Sequence, residues 1–150
     1  MEQPYVYTVD GKPDQMEHSL TRFTLGQTEG SSTKSYDEYG MLLSVRTDGM
    51  AFFNQDNTLI GINLADDKTV SFTAPADEVT LIQKQGNTVF ASYDNGSFYI
   101  MDARTGAAAG RLDTGLSYNY FGNIITDGTT LLVHFEQKCF AVSIPESLLQ

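Results

Sequence analysis

Three stretches of this chain overlay one another almost without gaps, and that self-similarity constrains the fold more than any single residue. Residues 88–102 (TVFASYDNGSFYIMD) serve as the reference. A shift of 42 places residues 130–144 (TLLVHFEQKCFAVSI) on them, and a shift of 39 the other way places residues 49–63 (GMAFFNQDNTLIGIN) on them. Each copy reads apolar strand, polar turn, apolar strand. Aromatic and β-branched side chains suit a pleated, half-buried surface, whereas Asp, Asn and Gly tolerate the backbone angles of tight turns. A unit this short cannot bury two apolar faces by itself, so copies must stack on one another.

A period of about 40 residues built from short strands is that of propeller-type blades. In the best copy, residues 79–84 and 89–93 read as two strands, and Asp94, Asn95 and Gly96 supply a tight hairpin to a third strand over 97–102. A turn closing at Gly106 leads to a weak fourth strand over 108–112. There Gly110 and the neighbouring alanines offer little to pack, as suits an outer edge. The preceding blade spans residues 41–73, with Gly49 in a turn; the following one spans 119–144, turns at Asp127 and Gly128, and lacks a fourth strand. Residues 5–25 read as a half-blade of third and fourth strands, and residues 26–40 as a polar, Gly/Ser-rich connector. The expectation is an all-β incomplete propeller occupying residues 1–150, with four-stranded antiparallel blades, two complete and two partial. Unpaired edges recruit further strands. The chain is therefore expected either to belong to a larger propeller or to form a homodimer by blade completion, giving a six-bladed ring.

Bulk properties exclude some partners. Nine basic residues against nineteen acidic ones give a net charge of -10. Such a surface repels phosphate backbones and anionic membranes, so neither nucleic acid nor a lipid surface is expected as a partner. No run approaches the ~20 apolar residues that a membrane span requires. The first ten residues have neither a basic n-region nor an apolar h-region, and they read as a strand rather than a signal peptide. A start of this kind is expected of a segment cut from a longer protein. Cys139 is the sole cysteine, so no disulfide forms within one chain, which fits either side of a membrane.

Residues 93–106 (YDNGSFYIMDARTG), followed by 111–115 (RLDTG), resemble one repeat of the quinoprotein-like (PQQ-type) β-propeller superfamily. Its repeats run from a strand through Asp-Gly or Asn-Gly to an aromatic-rich strand ending in Ala-Leu-Asp. A Thr-Gly turn and a tryptophan-bearing outer strand follow. This chain has no tryptophan, and Gly110 stands about where that residue would dock, so the likeness is to a divergent relative. The superfamily holds quinone-dependent alcohol dehydrogenases and non-enzymatic propellers such as the lipoprotein of the outer-membrane barrel-assembly machinery. The second group is the closer likeness. It implies a bacterial, extracytoplasmic binding scaffold.

Catalytic and metal chemistry finds little support in the residues. His134 and Cys139 would face each other across a two-residue turn, but a nucleophile also needs an orienting group and an oxyanion hole. A structural role is expected, with Cys139 as a small half-buried filler. His18, beside Glu17 and Asp14, lacks further ligands at useful spacing. The acidic turns match no calcium loop, and their Asp, Asn and Gly are ordinary hairpin residues. No metal or cofactor is expected. The cluster Tyr118, Asn119, Tyr120 and Phe121 serves either as packing beneath an interblade connector or as a recognition surface. The function expected is non-enzymatic recognition of a protein or small ligand through loops on one face. The alternative is a propeller enzyme of quinoprotein or lyase/lactonase type with a central-channel site.

Overall fold

The computed structural model describes residues 5–10, 19–24, 32–45, 49–113, 121–135 and 138–149. They form four separate antiparallel sheets, each a simple meander. The first holds β1 (Tyr5–Asp10), β2 (Ser19–Thr24) and β3 (Ser32–Ser35). The second holds β4 (Met41–Val45), β5 (Met50–Gln55), β6 (Thr58–Asn63) and β7 (Thr69–Pro75). The third holds β8 (Val79–Gln85), β9 (Thr88–Tyr93), β10 (Ser97–Asp102) and β11 (Ala108–Asp113), and the fourth β12 (Phe121–Thr126), β13 (Thr130–Phe135) and β14 (Lys138–Ser143). Among the described residues the only helical pieces are the 3₁₀ turns Asp37–Tyr39 and Glu146–Leu148. The architecture is an all-β, incomplete propeller of two four-stranded blades and two three-stranded ones.

Two sequence expectations need correction. Ser32–Ser35 lies inside the segment read as a connector, yet it pairs with β2 from Ser19↔Ser35 to Arg22↔Ser32. Its residues, Ser-Thr-Lys-Ser, carry no apolar alternation, so nothing in their pattern marks a strand; the backbone ladder alone makes it one. The first sheet thus has three strands where the half-blade reading over 5–25 has two.

The second correction concerns register. The turn between β9 and β10 has three residues, Asp94 to Gly96, whereas only Asp56 and Asn57 separate β5 from β6. Strand bounds therefore align β13 with β9 at a shift of 42 but β14 with β10 at 41. For the preceding blade the shifts are 38 and 39. A one-residue slip moves every side chain of a strand to the opposite face, so the gapless overlay misplaces one strand in each copy. Cys139, not Phe140, is the counterpart of Phe98: Ser92 pairs Phe98 in one blade, and His134 pairs Cys139 in the next.

Among the described residues three clusters make up the core, and two lie between successive sheets. Between β4–β7 and β8–β11, Phe52, Leu59 and Phe72 meet Ile82, Val89, Tyr93 and Met101. Between β8–β11 and β12–β14, Phe90, Phe98 and Ile100 meet Leu131, Ile144 and Leu148. On the other side of β4–β7, Phe53, Ile60 and Ile62 pack with Tyr36 and Tyr39 of the preceding linker. Backbone contacts reinforce the middle pair. The Thr73 amide donates to the Gly106 carbonyl (3.0 Å), and the Ala108 amide donates to Thr73 Oγ1 (3.1 Å). Gly106, at φ 75°, makes that approach possible, because a Cβ there would lie 2.0 Å from the Ser71 carbonyl oxygen.

Candidate functional site

In a meander of this kind the second-to-third-strand turns and the interblade linkers share one end of the sheets, and the remaining turns share the other. The richest local structure lies at the first end, around the β5–β6 turn. Asp56 (φ 49°) and Asn57 (φ 65°) both occupy the left-handed region, as a two-residue hairpin of right-handed twist demands. Asn54 Oδ1 accepts from the Asn57 amide (2.9 Å), and Asn54 Nδ2 donates to Asp77 Oδ1 (3.1 Å). The Asp77 amide donates to Asn57 Oδ1 (2.9 Å), while Gln55 Nε2 donates to the Glu38 carbonyl (2.7 Å). The turn is thereby tied to the linkers before and after its own blade. Gly40 (φ 79°) passes so close that a Cβ would sit 2.3 Å from the Asn54 carbonyl oxygen.

These ties leave a cleft of about 450 Å³ lined by Glu38, Asp56 and Asp77, by Asn54, Gln55 and Asn57, and by the exposed Met41. No lysine or arginine lines it. The next blade continues the pattern. Glu78, held at φ 62°, accepts a backbone hydrogen bond from Asp94 (3.1 Å). The negative charge of Asp94, a hydrogen bond to it and, more weakly, Asp77 push the Glu78 carboxyl above its usual range.

Carboxylates at the other end of the sheets are partnered inside their own turns. Asp102 forms a 2.8 Å ion pair with Arg104 and lies below the usual range, chiefly through that side-chain hydrogen bond. Asp66 does the same with Lys68 at 2.8 Å. Asp127 accepts from the Thr129 and Thr130 amides (both 2.8 Å) and is likewise lowered. A smaller hollow of about 260 Å³ lies at this end, between the β8–β9 turn, Gly128 and Leu148.

The structure separates the residues singled out in sequence. Tyr118, Asn119 and Tyr120 lie outside the described residues, as does His18, and Phe121 opens β12. Gly49 (φ 90°), Gly96 (φ 80°), Gly106 (φ 75°) and Gly128 (φ 95°) all have positive φ. Asn95 Oδ1 accepts from the Ser97 amide (2.9 Å), and Asp94 and Asn95 form the β9–β10 turn. His134 and Cys139 are cross-strand partners, but Cys139 is exposed rather than half-buried, since it lies on the outward face of the last sheet. Among the described residues no three His, Cys, Asp or Glu side chains converge to hold a metal. The acidic cleft escaped sequence reasoning because Glu38, Asp56 and Asp77 stand far apart in the chain; the run Asn54–Asn57 signalled a turn and nothing more.

No family model matches the sequence, and no curated protein matches it. Solved structures do. The computationally designed Ika8 protein superimposes with a TM-score of 0.66 at 12% identity, over 96% of this chain and 44% of that one. Hsv2 of Kluyveromyces lactis matches with a TM-score of 0.62 at 14% identity, over 89% of this chain and 43% of its own. BamB of Moraxella catarrhalis matches with a TM-score of 0.52 at 12% identity, over 88% of this chain and 45% of its own. The chain spans less than half the length of each. At these identities the likeness is one of fold, and the fold is the β-propeller. No helix among the described residues is long and apolar enough to cross a membrane.

Proposed function

We propose that this chain is a non-enzymatic recognition module whose binding surface is the acidic end of the sheets, centred on the cleft between the β5–β6 turn and its two linkers. The observation that carries the reading is the contrast between the two ends. Asp66 and Asp102 are paired with a cation and Asp127 with the amides of its own turn, whereas Glu38, Asp56 and Asp77 line one hollow without a lining cation, Asp77 accepting from the neutral Asn54 side chain. A focused negative potential of this kind attracts a cationic partner and raises its encounter rate. The favoured ligand is a Lys/Arg-rich protein segment, with Asn54, Gln55 and Asn57 supplying orienting polar groups and Met41 an apolar contact. The likeness to BamB fits a scaffold role, and the PQQ-type relationship read from residues 93–106 belongs to the same proposal.

Titration of a Lys/Arg-rich peptide against its Glu-substituted counterpart tests the reading. The basic peptide is expected to bind with an affinity that falls as salt rises, and D56N together with D77N weakens it. Asn at position 77 keeps an oxygen for the hydrogen bond from Asn54, so the change removes charge while preserving shape. Equal binding of both peptides, or binding untouched by the double substitution, overturns the proposal. Thermal shifts with a quinone and with calcium serve as the contrasting probes: stabilisation by the quinone favours a central-channel enzyme instead.

A further inference from the structure

We infer that the outward face of the β12–β14 sheet is covered by the β1–β2–β3 sheet of a second copy of this chain, two copies closing one ring head to tail. In β8–β11 the corresponding face presents Phe90, Ser92, Phe98 and Ile100, all buried, the three apolar ones packed in the cluster that the next sheet completes. The matching positions in the last sheet are Leu132, His134, Cys139 and Ala141, all exposed, Leu132 at 43%. None carries an acidic group, although the whole chain bears a charge of -10. This neutral face is therefore one of the surfaces where two such chains can meet without like-charge repulsion. Among the described residues β14 is paired on one side only, by β13, whereas its counterpart β10 has both β9 and β11.

A second copy is the occupant because of size and strand count. Ika8 and Hsv2, which superimpose over about nine-tenths of this chain, are more than twice its length, so further sheets flank the equivalent fan in those two. The first and last sheets hold three strands each, too many to merge into one four-stranded blade. They must stand side by side, face against face, as neighbouring blades do. Two chains of four sheets then make a ring of eight, not the six that the strand count from sequence implies. The contact is heterologous, last sheet to first, and closes after two copies.

Cys139 gives the experiment its local readout. At micromolar concentration, light scattering is expected to give twice the 16.5 kDa of one chain. Alkylation of Cys139 by a maleimide should be several-fold slower there than after dilution to nanomolar. Leu132→Glu should yield a monomer with unchanged β circular dichroism and a freely reactive Cys139. A monomer at every concentration overturns the inference. So does a dimer whose Cys139 reacts as fast as in dilute solution, because that dimer uses another surface. Should Leu132→Glu fail to fold, the protection of Cys139 in the unaltered chain decides alone.

Discussion

The β8–β11 and β12–β14 sheets follow one plan and reach opposite outcomes on one face. Their second and third strands have equal lengths, six residues each. Both carry a register shift at the start of the first strand, between Val79 and Leu81 in one and between Phe121 and Asn123 in the other. In the earlier sheet Thr80 fills that irregularity, donating from Oγ1 to the Ser92 carbonyl (3.1 Å). Yet Phe90, Phe98 and Ile100 are buried where Leu132, Cys139 and Ala141 are exposed. Turn chemistry and alternation specify a sheet, while its burial depends on what stands beside it. The smaller side chains of the last sheet lose less when left in water, and they contribute less when covered.

The comparison is most open to attack at the matched pair Phe98 and Cys139. Phe98→Ala empties a fully buried site and is expected to destabilise the protein by about 3–5 kcal/mol. Cys139→Ala, at the equivalent position that the single chain leaves exposed, should change the stability of the dilute, dissociated chain by less than about 0.5 kcal/mol. Urea unfolding of both variants in dilute solution decides the matter, and losses of similar size would show that Cys139 is covered as well as Phe98 is. Glycines extend the contrast. Gly106→Ala adds a clash with the Ser71 carbonyl to a left-handed backbone, and about 3 kcal/mol is expected. At Gly128 the backbone is again left-handed, but a Cβ meets nothing within 4 Å, so alanine there should lose only about 1–2 kcal/mol. Equal losses would place the Gly106 effect in the backbone alone.

Gly96→Val probes the three-residue turn that sets the register of the third sheet. At φ 80° a β-branched residue is strained, and a loss of about 1–3 kcal/mol is expected in the unfolding midpoint. An unchanged midpoint would mean that this turn does not constrain β9 against β10.

The smallest effects differ in sign between the two ends of the sheets. Glu78 has a folded-state pKa raised by Asp94, so its ionisation opposes folding, and stability falls as pH climbs through the carboxylate range. Glu78→Gln should therefore raise the melting temperature slightly at pH 7 and leave it unchanged below about pH 4, where the glutamate is protonated in both states. Asp127 behaves oppositely. The Thr129 and Thr130 amides lower its pKa, so its contribution is present at neutral pH and is lost as pH falls through the folded value. Asp127→Asn should lower the melting temperature at pH 7 and converge with the parent chain in acid. A shift for either variant that is the same at both pH values would sink the electrostatic assignment.

Much of the fold was legible because it rests on local chemistry. The apolar runs at 88–93 and 97–102 can bury their side chains only as strands, and Asp94, Asn95 and Gly96 are residues that a tight turn accepts. Repetition of that pattern implied stacking. Ser32–Ser35 was not legible, since a polar edge strand is defined by a backbone ladder that leaves no trace in side-chain type. The pairing of His134 with Cys139 across a two-residue turn was legible, but the gapless overlay misaligns β14 with β10, because a single extra turn residue cannot be told from a substitution when sequences are overlaid without gaps. The acidic cleft was hidden for a different reason: Glu38, Asp56 and Asp77 come together only through the linkers on either side of one blade.

The sequence by itself determined the class of structure, namely short antiparallel strands, tight turns at positive-φ residues, and a repeat that forces sheets to stack. These follow from sterics and from hydrophobic alternation, both of which act over a few residues. Tertiary structure alone decided which face of each strand is buried, which carboxylates are neutralised and which are left converging, and how many strands each end sheet contains. Those outcomes depend on the neighbour that a surface meets. Burial, Coulomb interactions and ladder pairing act between segments that the chain brings together only once it is folded.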